Sequence, residues 1–362
     1  MRSRVLAMLG VLPIALTVPA PGAIAQESAD IPRTADGRPD LSGTYDIATL
    51  TPLERPADLG DQLVLTEEEA AALAAGAGSL ERIFNIPDER NAERAPPREA
   101  PPVGGDGSSG AAGNVGGYNS FWMDRGNAPF QIDGQWRTSI IVDPPNGRQP
   151  PLTPEARAQL VSLVAFFRPN TGTAWWLEND LDASGPYDDP ERRPLSERCL
   201  LGFGSTAGPP MLPVLYNNLK RIVQTEDTVM IQVEMVHEAR LIRMNQEHAP
   251  PEIRSWLGDS VGRWEGDTLV VDTTNFRDEP ALGQASRNLH VVERFTRIDV
   301  ETLLYQFTVD DPTVWTAPWS GEYVWPASEN KVYEYACHEA NYSFGGILRG
   351  ARVLEADARE AR

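Results

Sequence analysis

Between Leu219 and Cys337 the chain alternates apolar and polar residues in short runs separated by turn residues. LKRIVQT (219–225), TVMIQVEMV (228–236), ARLIRM (239–244), VGRW (261–264), TLVVDTT (268–274), HVVERFTRI (290–298), LLYQFTVD (303–310), WSGEYVW (319–325) and KVYEYAC (331–337) each fit the two-residue period of a strand. Several connections are short: Glu226-Asp227, Glu265-Gly266-Asp267, Asp299 to Thr302, and Ala327 to Asn330. Such links make consecutive strands antiparallel neighbours. The expected fold class is mainly β, an antiparallel meander over residues 195–350 closing into a barrel-like (lipocalin-like) or sandwich domain. The longest alternating stretch, Thr228 to Arg243, reads as one long strand. On it His237 falls on the apolar parity, and Glu238 and Arg240 on the opposite one.

Upstream the pattern weakens, and residues 26–194 read as an irregular region with two short helices packed against the β domain. LTEEEAAALAAG offers Thr66 as N-cap, acids in its first turn and Gly76 as stop. Thr153 caps a second helix that has Pro154 at its first position. Trp136 to Val142 reads as a strand. Residues 86–119, rich in Pro, Gly and Ser, and 169–195, irregular and acidic, read as long loops. Residues 351–362 read as a C-terminal tail.

At the start, Arg2 and Arg4, an apolar run from Val5 to Val18 and Ala23-Ile24-Ala25 match a signal peptide, residues 1–25. The run is too short and too interrupted by proline to span a bilayer. The expectation is a periplasmic or secreted protein without a membrane span, and a mature chain of about 335 residues, enough for a large core. In an oxidising compartment, the two cysteines, Cys199 and Cys337, pair as a disulfide. Acidic residues outnumber basic ones 52 to 32, for a net charge of −20. That field repels phosphate backbones and argues against nucleic acid as a partner.

RTADGRPDLSG (33–43), RTSIIVDPPNGRQPPLTPE (137–155), RCLLGF (198–203), VEMVHEARLI (233–242), GDSVGRWEGDTLVVDTTNF (258–276), LHVVERFTR (289–297), DDPTVWTAPW (310–319) and YEYACHEANY (333–342) resemble an abundant family of secreted bacterial proteins of uncharacterised function. The resemblance covers most of the chain after residue 25. It implies a secreted, single-family protein and carries over no catalytic residues.

Candidate chemistry gathers around four histidines, His237, His248, His290 and His338. Three lie in or at the ends of expected strands, beside an acid or an arginine. One reading is acid–base catalysis by His237, His290 and His338 with Glu238, while Arg240 and Arg294 hold a substrate carboxylate and Trp264 and Tyr342 line the site. That reading makes the protein a lyase- or isomerase-type enzyme acting on a small organic molecule: a saccharide, an aromatic or an isoprenoid. A non-catalytic ligand-binding or envelope-associated protein is the alternative, in which these groups are structural. A third reading has three histidines ligating zinc with water in the fourth position; the spacings match no zinc motif, and no cofactor is assumed. The chain has no GxSxG, HExxH, Walker A or CxxC motif. GFGSTAG (202–208) reads as a turn, and in DTTN (272–275) Asp272 reads as a turn-stabilising acceptor or a cation ligand. The sequence leaves the oligomeric state open.

Overall fold

A computed structural model describes residues 31–84, 126–166, 172–177, 185–202, 204–278 and 280–361. The expected signal peptide and the Pro/Gly-rich loop lie outside them.

The chain is mainly β. Ten strands form one sheet: β1 (Gly43–Asp46), β5 (Ile141–Asp143), β6 (Leu219–Gln224), β7 (Thr228–Val233), β8 (Ala239–Met244), β9 (Asp259–Glu265), β10 (Thr268–Thr274), β11 (His290–Arg297), β12 (Thr302–Asp310) and β13 (Trp319–Pro326). Their spatial order is β1-β6-β7-β8-β9-β10-β11-β12-β13-β5. Every pair is antiparallel except β8–β9, which the longer loop 245–258 makes parallel. The sheet curls into a half-barrel. Its margins draw together at one end, where Tyr45 bridges Ala327 and Ser328 N–H donates to Thr44 O at 2.8 Å.

Alternation decides which residues face inward. On β11 Val291, Glu293, Phe295 and Arg297 are buried, while His290, Val292, Arg294 and Thr296 lie on the outer face. The register sets Phe295 opposite Tyr305 and Tyr305 opposite Tyr323. These rings stack with Trp325, at centroid distances of 5.0 Å for Phe295–Tyr305 and 4.9 Å for Tyr305–Trp325. A glycine is required at 321, because a Cβ there would lie 3.0 Å from Ile140 O and closer still to the Phe307 ring.

The N-terminal region completes this core. β1 and β5 close the two margins of the sheet. A second sheet, β2 (Val64–Leu65), β3 (Gln131–Ile132) and β4 (Gln135–Arg137), brings Phe130 to 6.2 Å from Tyr323. The half-barrel is therefore filled by large side chains, Trp315, Trp319 and Trp325 among them. Helix α1 (Glu67–Phe84) starts with a reciprocal cap: Thr66 N–H donates to Glu69 and Glu69 N–H donates to Thr66 Oγ1. It runs past Gly76, since one glycine in an alanine-rich body costs only about 1 kcal/mol. Helix α2 (Pro154–Phe166) begins where Thr153 Oγ1 accepts from Ala156 N–H at 3.1 Å.

Four expectations need correction. Thr228 to Arg243 is two strands, because Val236 and His237 adopt left-handed conformations that turn the chain back on itself. The turn also resets the parity: Arg240 pairs with Ile231 and points inward, and His237 is exposed. Trp136 to Val142 divides between β4 and β5, which belong to different sheets. Residues 331–337 form no strand, the free side of β13 being occupied by β5. Instead α3 (Cys337–Ala340) and α4 (Tyr342–Glu360) follow, and α4 runs through the expected tail. The Cys199–Cys337 disulfide is formed, with the Cα atoms 5.8 Å apart, and ties the segment before β6 to α3. No helix among the described residues is long and apolar enough to cross a membrane.

Candidate functional site

Two polar constellations lie on opposite faces of the same strands. Their side is fixed by strand parity: Asp259, Asp272 and His290 take outward positions, and Ser260, Thr273 and Glu293 inward ones.

On the outer face, Asp272 of β10 receives two imidazoles. His248 Nε2 lies 3.0 Å from Asp272 Oδ1, and His290 Nε2 lies 3.2 and 3.1 Å from its two oxygens. His248 turns its other nitrogen, Nδ1, to Asp259 Oδ2 at 3.0 Å. Both oxygens of Asp259 also accept from Arg243 Nη2, and Oδ2 accepts from Ala249 N–H. His290 Nδ1 has no hydrogen-bond partner among the described residues, and the side chain is 42% exposed.

The electrostatics follow from this order. The His290 hydrogen bond holds Asp272 below the usual carboxylate range, with the His290 charge and the His248 bond in support and partial burial opposing. The Asp272 hydrogen bond raises the His290 pKa, against some burial, and the charges of Asp272 and Asp310 add to it. Burial pushes Asp259 upward, but Ala249 N–H, His248 and Arg243 outweigh it and leave the acid below its ordinary value.

The loops that carry His248 and lead into His290 also build a cleft. Arg254 Nη1 donates to Phe276 O at 2.9 Å and to Arg287 O at 3.0 Å, joining the two loops. Asn275 Nδ2 donates to Ala249 O at 2.9 Å. Beside this junction Arg254, Arg277 and Arg287, with Glu252 and Asp278, line a cleft of about 400 Å³.

On the inner face, Arg240 and Glu293 form a bidentate ion pair, both fully buried. Arg240 also donates to Ser260 and Thr273, at 3.0 and 2.9 Å. Tyr305 O–H donates to Glu293 Oε1 at 2.7 Å and accepts from Met211 N–H at 2.9 Å. Burial first, then the Glu293 charge, pushes the Tyr305 phenol well above its usual value. The network is satisfied at every member named here, and the Arg240 guanidinium is engaged in it.

The remaining sequence candidates lie apart from both. His237 sits exposed on the turn between β7 and β8, its Nδ1 3.3 Å from Tyr335 O. Glu238 is half-buried beside it. His338 is exposed on α3 and lines a cleft of about 400 Å³ with Arg198, Leu200 and Asn341. Arg294 pairs with Glu265 on the outer face at 3.0 Å. Trp264 packs against the core, with Arg38 5.9 Å above its ring. Tyr342 is exposed at the start of α4. His237 and His290 thus have separate partners and His338 lines a cleft of its own, and among the described residues no group of three or more His, Cys, Asp or Glu is arranged to hold a metal ion.

The structure gives His248, to which the sequence assigns no role, a place between two carboxylates, adds Asp259, and makes Asp272 the centre of the group. Asp272 and His290 stand at outward positions of adjacent strands; His248, in a loop, has no such position. No family model matches the chain, nor does any curated protein or solved structure.

Proposed function

We propose that the outer-face site performs acid–base chemistry on a small organic substrate, of the lyase or isomerase kind, with His290 as the proton-transferring group. The observation that carries this reading is the sharing of Asp272 by two imidazoles while His290 Nδ1 stays accessible. A carboxylate on one nitrogen fixes the ring and its tautomer and leaves the other nitrogen to take or give a proton. His248, held between two carboxylates, positions Asp272 from the far side. The neighbouring arginines supply donors for an anionic group on the substrate. The chemistry is proton abstraction beside a carboxylate, followed by elimination or isomerisation.

The chain is read as secreted. Its disulfide suits an oxidising compartment, and the motif resemblance supports export. A binding-only role is the second reading, favoured by a cleft of about 720 Å³ in which Trp175, Trp176 and Tyr187 face Gly346 and Gly350 of α4.

The test is solvent exchange. A panel of small carboxylic acids and uronic acids is incubated with the protein in deuterated water, and loss of C–H signal is followed by NMR. Catalysed exchange that falls at least 100-fold in His290→Gln, with the circular dichroism spectrum unchanged, is the expected result. Exchange equally fast in His290→Gln, or absent across the panel, removes this assignment and leaves the binding reading.

A further inference from the structure

The chain contains two lysines, Lys220 and Lys331, against 30 arginines. Lys331 is exposed. Lys220 is fully buried, at 0% exposure, and its Nζ has no hydrogen-bond partner among the described residues. Other inward-facing cations are arginines with partners, Arg55 on Pro145 O and Arg240 on Glu293 among them. Arginine keeps its proton in any protein environment, whereas a buried lysine can give its proton up and present a neutral amine. An ammonium stripped of water and left without a partner costs several kcal/mol; a free amine does not carry that charge penalty.

The surroundings are defined by register. Lys220 on β6 pairs with Tyr45 on β1 and with Val233 on β7. Val233 N–H donates to Glu238 O, so Lys220 and Glu238 flank Val233 on one row, about 10 Å apart at the backbone. The charged groups acting on Lys220 are Glu234 from the turn, Asp46 from β1 and Glu238 at the start of β8. Glu234 is already occupied by Tyr333 N–H at 3.0 Å, and Asp46 by Ala48 N–H at 3.0 Å. Burial lowers the Lys220 pKa to about 7 against these three charges, and burial raises Glu238 to about 7 against the charge of Lys220. Burial thus works against the charged form of both groups near neutral pH. Glu238 is half-buried between the exposed His237 and Ala239, so this turn is where the row reaches the surface.

We propose that Lys220 is a nucleophilic amine that condenses with a small aldehyde or ketone, with Glu238 as the proton donor. The Nζ lone pair attacks the carbonyl carbon, a C–N bond forms as the carbonyl π bond breaks, and the oxygen takes one of the two protons from the attached nitrogen. Glu238 then protonates that hydroxyl, the C–O bond breaks and water leaves. The nitrogen returns a proton to the Glu238 carboxylate, so amine and carbonyl give imine and water with no other reactant. This site is separate from the outer-face histidines and stands or falls independently of them.

The experiment is reductive trapping on the whole chain. Glycolaldehyde and cyanoborohydride are added at pH 7, and the adducts are mapped by peptide mass spectrometry, with exposed Lys331 as the internal reference. Lys220 should be labelled at least tenfold faster than Lys331, since an ordinary lysine is almost wholly protonated at this pH. The preference should vanish in urea. Glu238→Gln should slow labelling of Lys220 tenfold or more and leave Lys331 unchanged. Labelling confined to Lys331 in the folded protein between pH 6 and 9 would overturn the proposal, and this comparison needs no variant to fold. Equal labelling of Lys220 in Glu238→Gln would remove Glu238 from the step.

Discussion

At the scale of single residues, the two faces of β10 and β11 separate structure from candidate chemistry. Arg240 and Glu293 are buried together with every donor and acceptor described above engaged. Removing one member strands a charge: Glu293→Gln or Arg240→Met is expected to lose about 3–5 kcal/mol in urea denaturation. Replacing both with apolar residues of similar volume should recover most of that loss; a double variant as unstable as the worse single one would contradict it. On the outer face the effects are smaller and depend on pH. His290 has a raised pKa in the folded protein, so its contribution is complete below the unfolded histidine value near 6.5 and is lost as pH rises through the folded value. His290→Gln should therefore destabilise more at pH 6 than at pH 9, by at most about 1 kcal/mol for a side chain this exposed. Asp272→Asn removes the group that raises His290, and the acidic limb of any exchange activity, where the base becomes protonated, should move to lower pH. An unmoved limb would show that His290 is not the titrating base.

At the scale of elements, alternation was a good guide to where strands are and a poor one to which of them pair. Eight of the nine runs from Leu219 onward became strands because each buries one face against the aromatic core. KVYEYAC alternates as well as they do, yet it has no neighbour to pair with, since β5 arrives first at β13. The turn after Val233 was hidden for the opposite reason. VEMVH keeps the apolar rhythm, and the reversal depends on left-handed backbone at Val236 and His237 that a β-branched side chain does not advertise. β1, GTYD, is short and set among turn residues, and becomes a strand only by pairing with β6. The candidate site was legible in part: Asp272 and His290 follow strand parity, whereas His248 and Asp259 meet only because the loop 245–258 folds back. The close fit of β13 gives a direct check. Gly321→Ala sets a methyl against Phe307 and Ile140 O, and should cost about 1–3 kcal/mol, read as a lower melting temperature. A neutral substitution there would mean the Phe307 ring has room to move.

At the scale of the whole molecule, long-range ties hold the N-terminal region, the half-barrel and the C-terminal helices together. The disulfide spans 138 residues and fixes α3 to the segment before β6. In the chain-entropy model its removal costs about 5 kcal/mol, so the Cys199→Ser, Cys337→Ser variant should unfold at distinctly lower urea than the oxidised protein. Beyond α3, Trp176 Nε1–H donates to Glu355 Oε1 at 2.9 Å and seats α4.

The two margins of the sheet have a kinetic consequence. β5 pairs with β13 across 180 positions, Ile141 with Gly321, and the Tyr45–Ala327 bridge is longer still. β5, made early, thus has no partner until the last strand has left the ribosome, whereas β1 already finds one in β6. A ribosome-bound chain ending before Trp319 should lack the protease resistance of the finished protein, and refolding of the whole should be slow for its size. Until β13 emerges, the β5 margin is an unpaired edge, open to pairing with another chain.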